Sequence, residues 1–357
     1  MSDTLSLPLP SKNVERIDGL QVLRMVAVLL VAWAHAAQPI ASTLPHFGIF
    51  GVDIFFVISG FILALIVLRD SHTPGFRPSI DFLRRRAVRI FPVYWLFALL
   101  PFVHRVHAHQ GLTYFPAILL LPGPQYFDLP VLANFSWTLI FEMFFYLLFG
   151  AMLLFWSQQR AVKRMIAALV VLVTAGAFLD IGHPVVIVVM NPILLEFAMG
   201  ALAALIYSRE GSHPWIGRIL IALGIGLSLV LRRRPADRGE WDILMNHGAM
   251  ERAYTWGVAA ALIVLGMVLL SPRMESPLGR LSVLLGNASY STYLLSGFLL
   301  LKFSLSIAKL RQFVHGPVST FFMQVAITSA LMILGLTFYL VVEKRLLAIA
   351  SRLIPGR

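Results

Sequence analysis

Apolar runs of about 20 residues recur along the whole chain, and that is the length an α-helix needs to cross the hydrocarbon core of a bilayer. About ten such runs are legible, at 18–38, 48–68, 86–104, 135–156, 163–180, 184–206, 215–231, 253–270, 281–303 and 317–341. In lipid every backbone N–H and C=O must be satisfied inside the segment or in a closed barrel. These runs are too long and too continuous for barrel strands, so the chain is expected to be all-α, a polytopic membrane helical bundle. Of the 357 residues, 59% are hydrophobic and only 13% charged, well outside the range of soluble domains. The piece 112–122 is too short to cross and is expected as a re-entrant or interfacial helix.

The net charge is +12. In a soluble protein that would suggest nucleic acid; here topology accounts for most of it, and no nucleic-acid partner is expected. With both termini in the cytoplasm, the Lys and Arg residues favour inner over outer loops by about two to one. The outer stretch RRRPADRGEWD is the exception, and Arg232, Arg233 and Arg234 could meet lipid headgroups, an anionic glycan or a lipid pyrophosphate. The chain has no cysteine, which excludes disulfides, thiol nucleophiles and cysteine metal sites. Ala34-His35-Ala36 imitates a signal-peptide cleavage site, but the apolar stretch is long for a leader and further spans follow. The expected organisation is a short tail at 1–16, a membrane domain at 17–345 and a second tail at 346–357. No soluble domain or internal repeat is legible.

Ionisable groups inside the spans are costly and often functional. Arg24 and His35 are eleven positions apart, which is close to three whole helical turns, so both lie on one face of the first span, roughly 16 Å apart. Arg24 would sit in the inner half and His35 in the outer half. Asp53 and Glu142 fall at depths similar to His35 on spans that run inward. A carboxylate beside an imidazole fixes its tautomer and raises its basicity, so the trio is read as a general-base site. The plainer alternative is that Arg24 snorkels and His35 bonds a backbone carbonyl. FLRRRAVRIFP opens the third span from the cytoplasm and places Arg86 and Arg89 on one face near a helix start, which suits phosphate as well as ordinary inner-face anchoring. Glu196 is expected to pair within the bundle, with Arg24 as one candidate, the alternative being a direct role in the site. Asn287, Ser289, Tyr290 and Tyr293 either bond between helices or line a tunnel. HRVHAH at 104–109 lacks nearby carboxylates and is read as an interfacial loop; no metal is expected.

GVDIFFVISGF, the Arg24–His35 pair, RAVRIFPVYW, SWTLIFEMFFY, NPILLEFAMG and LGNASYSTYL stand in the order found in acyltransferase family 3, which the chain resembles from Asp18 to about Glu343. The FEMFFY form is most similar to the exopolysaccharide-production branch. The resemblance implies a ten-helix core in a bacterial inner membrane, with cytoplasmic acetyl-CoA as donor substrate and no tightly bound cofactor. It also implies a cell-surface or exported glycan, or its lipid-linked precursor, as acceptor, and polysaccharide biosynthesis or export proteins as partners. It carries catalytic roles to His35, Arg24 and Glu142, and donor-binding roles to Arg86, Arg89 and Ser59; Asp53 joins the catalytic set from its depth near His35, and Tyr94 is added to the donor-binding set. Two departures stand out: Ser296 occupies a place where many members carry histidine, and Arg345 follows Glu343-Lys344 where many have proline.

Together these expectations describe a path. Arg86 and Arg89 hold donor phosphates at the inner mouth, the thioester reaches toward His35, and His35 acts as general base or briefly takes the acyl group. Asp53 or Glu142 orients His35, and Ser59 or a backbone N–H supports the oxyanion. A transporter, or a non-catalytic subunit of an export assembly, would also explain charges at mid-depth.

Overall fold

The computed structural model describes residues 17–37, 40, 47–70, 73–107, 116–122, 130–179, 182–231 and 248–352. All regular structure among them is helical. The helices are α1 (Asp18–Ala37), α2 (Phe50–Arg69), α3 (Phe76–His107), α4 (Pro130–Phe155), α5 (Gln158–Gly176) and α6 (Pro184–Val189). There follow α7 (Leu194–Glu210), α8 (Pro214–Val230), α9 (Ala249–Leu270), α10 (Pro277–Asn287), α11 (Ser289–Arg311) and α12 (Pro317–Ser351). Proline stands in the first turn of α6, α8, α10 and α12, where its missing N–H costs no intrahelical bond.

Among the described residues six helical segments are long and apolar enough to cross a membrane: α1, α2, the body of α4, α6 with α7, α9 and α12. A seventh counts if α10 and α11 are one span bent by 59°. The other three expected runs fall short for visible reasons. α3 opens with five arginines, α5 carries Arg160, Lys163 and Arg164 in its first turns, and α8 has 17 residues. The expected span at 184–206 breaks at Asn191-Pro192, where the Asn191 side chain accepts from the Ile193 amide. Large apolar side chains such as Trp215, Leu223, Phe322 and Ile333 point outward, the arrangement expected where the surroundings are lipid tails. The chain is a multi-pass membrane protein.

From Lys344 on, α12 continues through the segment expected as a tail, with Leu347 and Ala350 buried and the helix packed on α3. The piece 112–122 is described from Pro116, where one turn lies against α3. Tyr94 Oη donates to Ala117 O (2.7 Å) and Trp95 Nε1 donates to Ile118 O (3.0 Å).

α2 is the central helix, and two faces of it do different things. Val52, Phe55, Phe56, Ser59, Ile62 and Leu63 recur at helical spacing and line a cavity. Asp53, Val57 and Gly60 face away from that cavity. Gly60 and Gly200 let α2 and α7 approach until each would place a Cβ against the other helix's backbone, at Phe197 and Val57 respectively. Without a hydrophobic drive between helices in lipid, contact this close is what holds them together. Gly60→Leu is therefore expected to remove most folded protein from the membrane, because backbone atoms cannot yield as a side-chain tip can. Gly226→Ala, where nothing lies within 4 Å, should leave the yield unchanged. Fluorescence-detected size-exclusion chromatography of membrane extracts checks both.

Candidate functional site

A cavity of about 190 Å³ lies between α1, α2, α3, α4 and α11. Its polar end is built by spacing: Arg86 and Arg89 on α3, Glu142 and Tyr146 on α4, Arg24 on α1, Ser59 on α2 and Tyr290 on α11. The lining then follows α2 from Leu63 back to Val52, roughly 16 Å, and reaches Thr138 and Tyr293 near the end that leads to the α1–α2 connection.

Each charged group there has a defined place. Glu142 accepts from Ser59 Oγ (3.1 Å) and from the Tyr146 hydroxyl. Arg89 Nη1 donates to Glu343 Oε1 (2.9 Å) while its guanidinium lies 5.8 Å from the Tyr290 ring centre. The second Glu343 oxygen accepts from the Ser291 hydroxyl, and Tyr290 Oη donates to Ile90 O (3.0 Å). Arg24 makes one long bond to Gln21 (3.4 Å), with Arg89, Glu343 and Glu142 as its charged neighbours. Arg86 Nε is buried without a partner among the described residues. Three guanidinium groups thus face two carboxylates, leaving a positive excess at one end of an apolar-walled cavity.

His35 lies at the other end. It is 7% exposed, and its Nδ1 is 3.0 Å from Ser296 Oγ. Its ring centre is 6.4 Å from that of Tyr293, whose hydroxyl bonds Thr138 Oγ1 (2.8 Å); Tyr293 and Thr138 both line the cavity. His35 therefore adjoins the cavity through Tyr293, while Arg24 enters it directly.

The expected trio does not form. Glu142 sits at the midpoint of α4, because that helix begins at Pro130, earlier than the apolar run suggests, and this lowers Glu142 to the arginine level. Asp53 points to the opposite side of α2. Both its oxygens are taken by Arg252, whose Nε and Nη2 each donate at 2.8 Å, with Nη2 also reaching Ile49 O (2.9 Å). Arg252, which falls between the apolar runs at 215–231 and 253–270 and so reads as an outer-loop charge, is buried in the first turn of α9, 5.6 Å from the Trp256 ring. Glu196 belongs to this second cluster, close to Asp53 and Arg252, and not to Arg24. Tyr94, expected to bind donor, is fully buried and ties α3 to the turn at Ala117.

Sequence reasoning placed Arg24, Arg86, Arg89, Ser59 and Glu142 together only in part, as one donor group and one base group; the fold merges them. It missed Glu343 and Arg252 as ion-pair partners. Glu343 ends the π turn Tyr339–Glu343 and Arg252 immediately precedes the π turn Ala253–Gly257, local departures from the α-helical register. The HRVHAH and Arg232–Arg234 side chains lie outside the described residues. Among the described residues no cluster could hold a metal.

Residues 17–342 match the family model described as acyltransferase domain. The exopolysaccharide production protein ExoZ of Rhizobium meliloti is 30% identical over 88% of this chain and 93% of its own length. Nodulation protein 10 of Rhizobium leguminosarum is 26% identical over 65% of this chain and 69% of its own. The peptidoglycan O-acetyltransferase OatA of Listeria monocytogenes is 28% identical over 40% of this chain and 24% of its own length. No solved structure matches.

Removing one partner of a buried ion pair strands the other charge and typically costs about 3–5 kcal/mol. Arg252→Met should therefore lower the melting temperature in detergent sharply, and pairing it with Asp53→Leu should restore most of the loss. A double variant as unstable as the single one would contradict this ion pair.

Proposed function

The chain belongs to the acyltransferase 3 family of membrane O-acyltransferases, and from that premise we propose that it carries an acetyl group from cytoplasmic acetyl-CoA to a hydroxyl of a cell-surface or exported polysaccharide, or its lipid-linked precursor. The family and the names of the relatives, one in exopolysaccharide production and one a peptidoglycan O-acetyltransferase, support a polysaccharide acceptor. The chain would reside in a bacterial inner membrane with about ten crossings and both termini in the cytoplasm, the bent α10–α11 pair and the shorter α5 and α8 among them.

The observation that carries this reading is a cavity with excess positive charge at one end and His35 adjoining the other through Tyr293. Arg24, Arg86 and Arg89 would hold the donor's phosphates as fixed cations, Arg86 offering an N–H that has no other partner. The pantetheine arm would lie along the apolar wall of α2, bringing the thioester toward Tyr293. His35 would take the proton of the acceptor hydroxyl as its oxygen attacks the thioester carbonyl. The C–S bond then breaks, and the departing thiolate recovers the proton. Holding both reactants in one cavity would lower the barrier further, since orientation converts an encounter into a first-order step. Glu142, bonded by Ser59 and Tyr146, would fix the arginine cluster and not the imidazole.

His35→Ala is expected to abolish acyl decoration of surface glycans, read by mass spectrometry, with the protein level in the membrane unchanged. Full decoration in that variant rejects the mechanism. Arg86→Ala with Arg89→Ala should raise the apparent KM for acetyl-CoA by at least about tenfold, the scale of losing charge-assisted phosphate bonds. Unchanged donor saturation in purified protein would reject the phosphate assignment. Deletion that removes the polymer itself, not only its acyl groups, would favour an assembly role.

A further inference from the structure

Ser296 stands about two turns into α11, fully buried, and its hydroxyl meets two groups at once. Oγ is 2.9 Å from Tyr293 O in the same helix and 3.0 Å from His35 Nδ1 across the helix interface. A hydroxyl has one proton to donate. The Tyr293 carbonyl can only accept, so that bond requires the Ser296 proton. The oxygen lone pair then faces Nδ1, and the second contact is a hydrogen bond only if Nδ1 carries a hydrogen. One arrangement satisfies both: Nδ1–H donates to Ser296 Oγ, and Nε2 keeps its lone pair. His35 makes no other hydrogen bond among the described residues, which leaves Nε2 open to a reactant proton. The backbone around the ring is also held, because Gln324 Nε2 of α12 donates to Trp33 O (3.0 Å) on α1. The ring's own torsions are the freedom left, and Ser296 is the hydrogen bond that limits them.

We propose that Ser296 is the positioning residue of this site: it holds His35 in the Nδ1–H tautomer and aims Nε2 as the proton acceptor. The inference rests on the reading of His35 as the base. Ser296 takes the place in which sequence reasoning expected a carboxylate. A hydroxyl orients the imidazole as a carboxylate would, but it brings no charge into a bundle where each buried charge needs its own partner.

Purified protein in detergent, assayed with acetyl-CoA and acceptor glycan, tests this with Ser296→Ala, Ser296→Cys and His35→Ala. Alanine is the better helix former and the other Ser296 bond is internal to α11, so α11 should survive the change. The expected result for Ser296→Ala is a kcat lower by about 10- to 100-fold, the scale of a misaligned reacting group, with KM for acetyl-CoA unchanged. Ser296→Cys, nearly isosteric and a weaker acceptor, should lose rate in the same direction by a smaller factor, and serves if the alanine variant does not accumulate. Adding Ser296→Ala to His35→Ala should lower the residual rate no further. If His35→Ala is inactive while Ser296→Ala and Ser296→Cys keep the full kcat, or lose only donor affinity, the positioning role is overturned and His35 as base survives. If His35→Ala is itself active, the underlying mechanism has failed instead.

Discussion

Two carboxylate–guanidinium pairs tie together helices of this bundle that are far apart along the chain. Asp53–Arg252 locks α2 to the start of α9, and Arg89–Glu343 locks α3 to α12. In each pair the carboxylate is fully buried and would be costly if stranded, so each pair fixes the register of two helices that small residues alone would let slide. In each case one partner stands at or beside a π turn, which departs from regular helix geometry to bring the side chain to its counterpart.

α2 separates the two pairs. Asp53 and Ser59 are six residues apart, which at 100° per residue puts them on different sides of the helix. One side, with Asp53, Val57 and Gly60, is closed tightly by α7 and α9 and contains a structural ion pair. The other, from Val52 to Leu63, lines the cavity with Phe55, Phe56, Ser59 and Ile62, opposite residues of α3, α4 and α11. Stability is concentrated on one side of a single helix and candidate chemistry on the other. Hence Asp53 and Glu142, both carboxylates within apolar spans, have unrelated surroundings.

Part of the site was legible because it depends on local spacing. Arg24 with His35, and Arg86 with Arg89, were assigned to shared faces from helical periodicity, and the members that line the cavity do so from those faces. Glu142 was recognised as costly but placed at the wrong depth, since apolar composition marks the hydrocarbon core and not the helix end at Pro130. Periodicity could also have separated Asp53 from the cavity: Val52, Phe55, Phe56 and Ser59 form one stripe, and Asp53, Val57 and Gly60 another. Arg252, Glu343 and Ser296 gave no such signal. Arg252 resembled a loop charge, Glu343 a terminal residue of the last span, and Ser296 a departure from a family pattern.

The sequence by itself determined that the chain is helical and crosses a membrane several times, because unbroken apolar runs in lipid leave the backbone no alternative. It also determined the family, through motifs in fixed order, and the faces on which the arginines lie. Only the tertiary structure decided which charge neutralises which, and that a serine, not a carboxylate, supports His35. The partners of Asp53, Arg89 and His35 are 199, 254 and 261 residues away along the chain, and no local period relates positions so distant. Their pairing follows from how the helices pack, and in an apolar interior that packing is selected by which buried polar groups can be satisfied together.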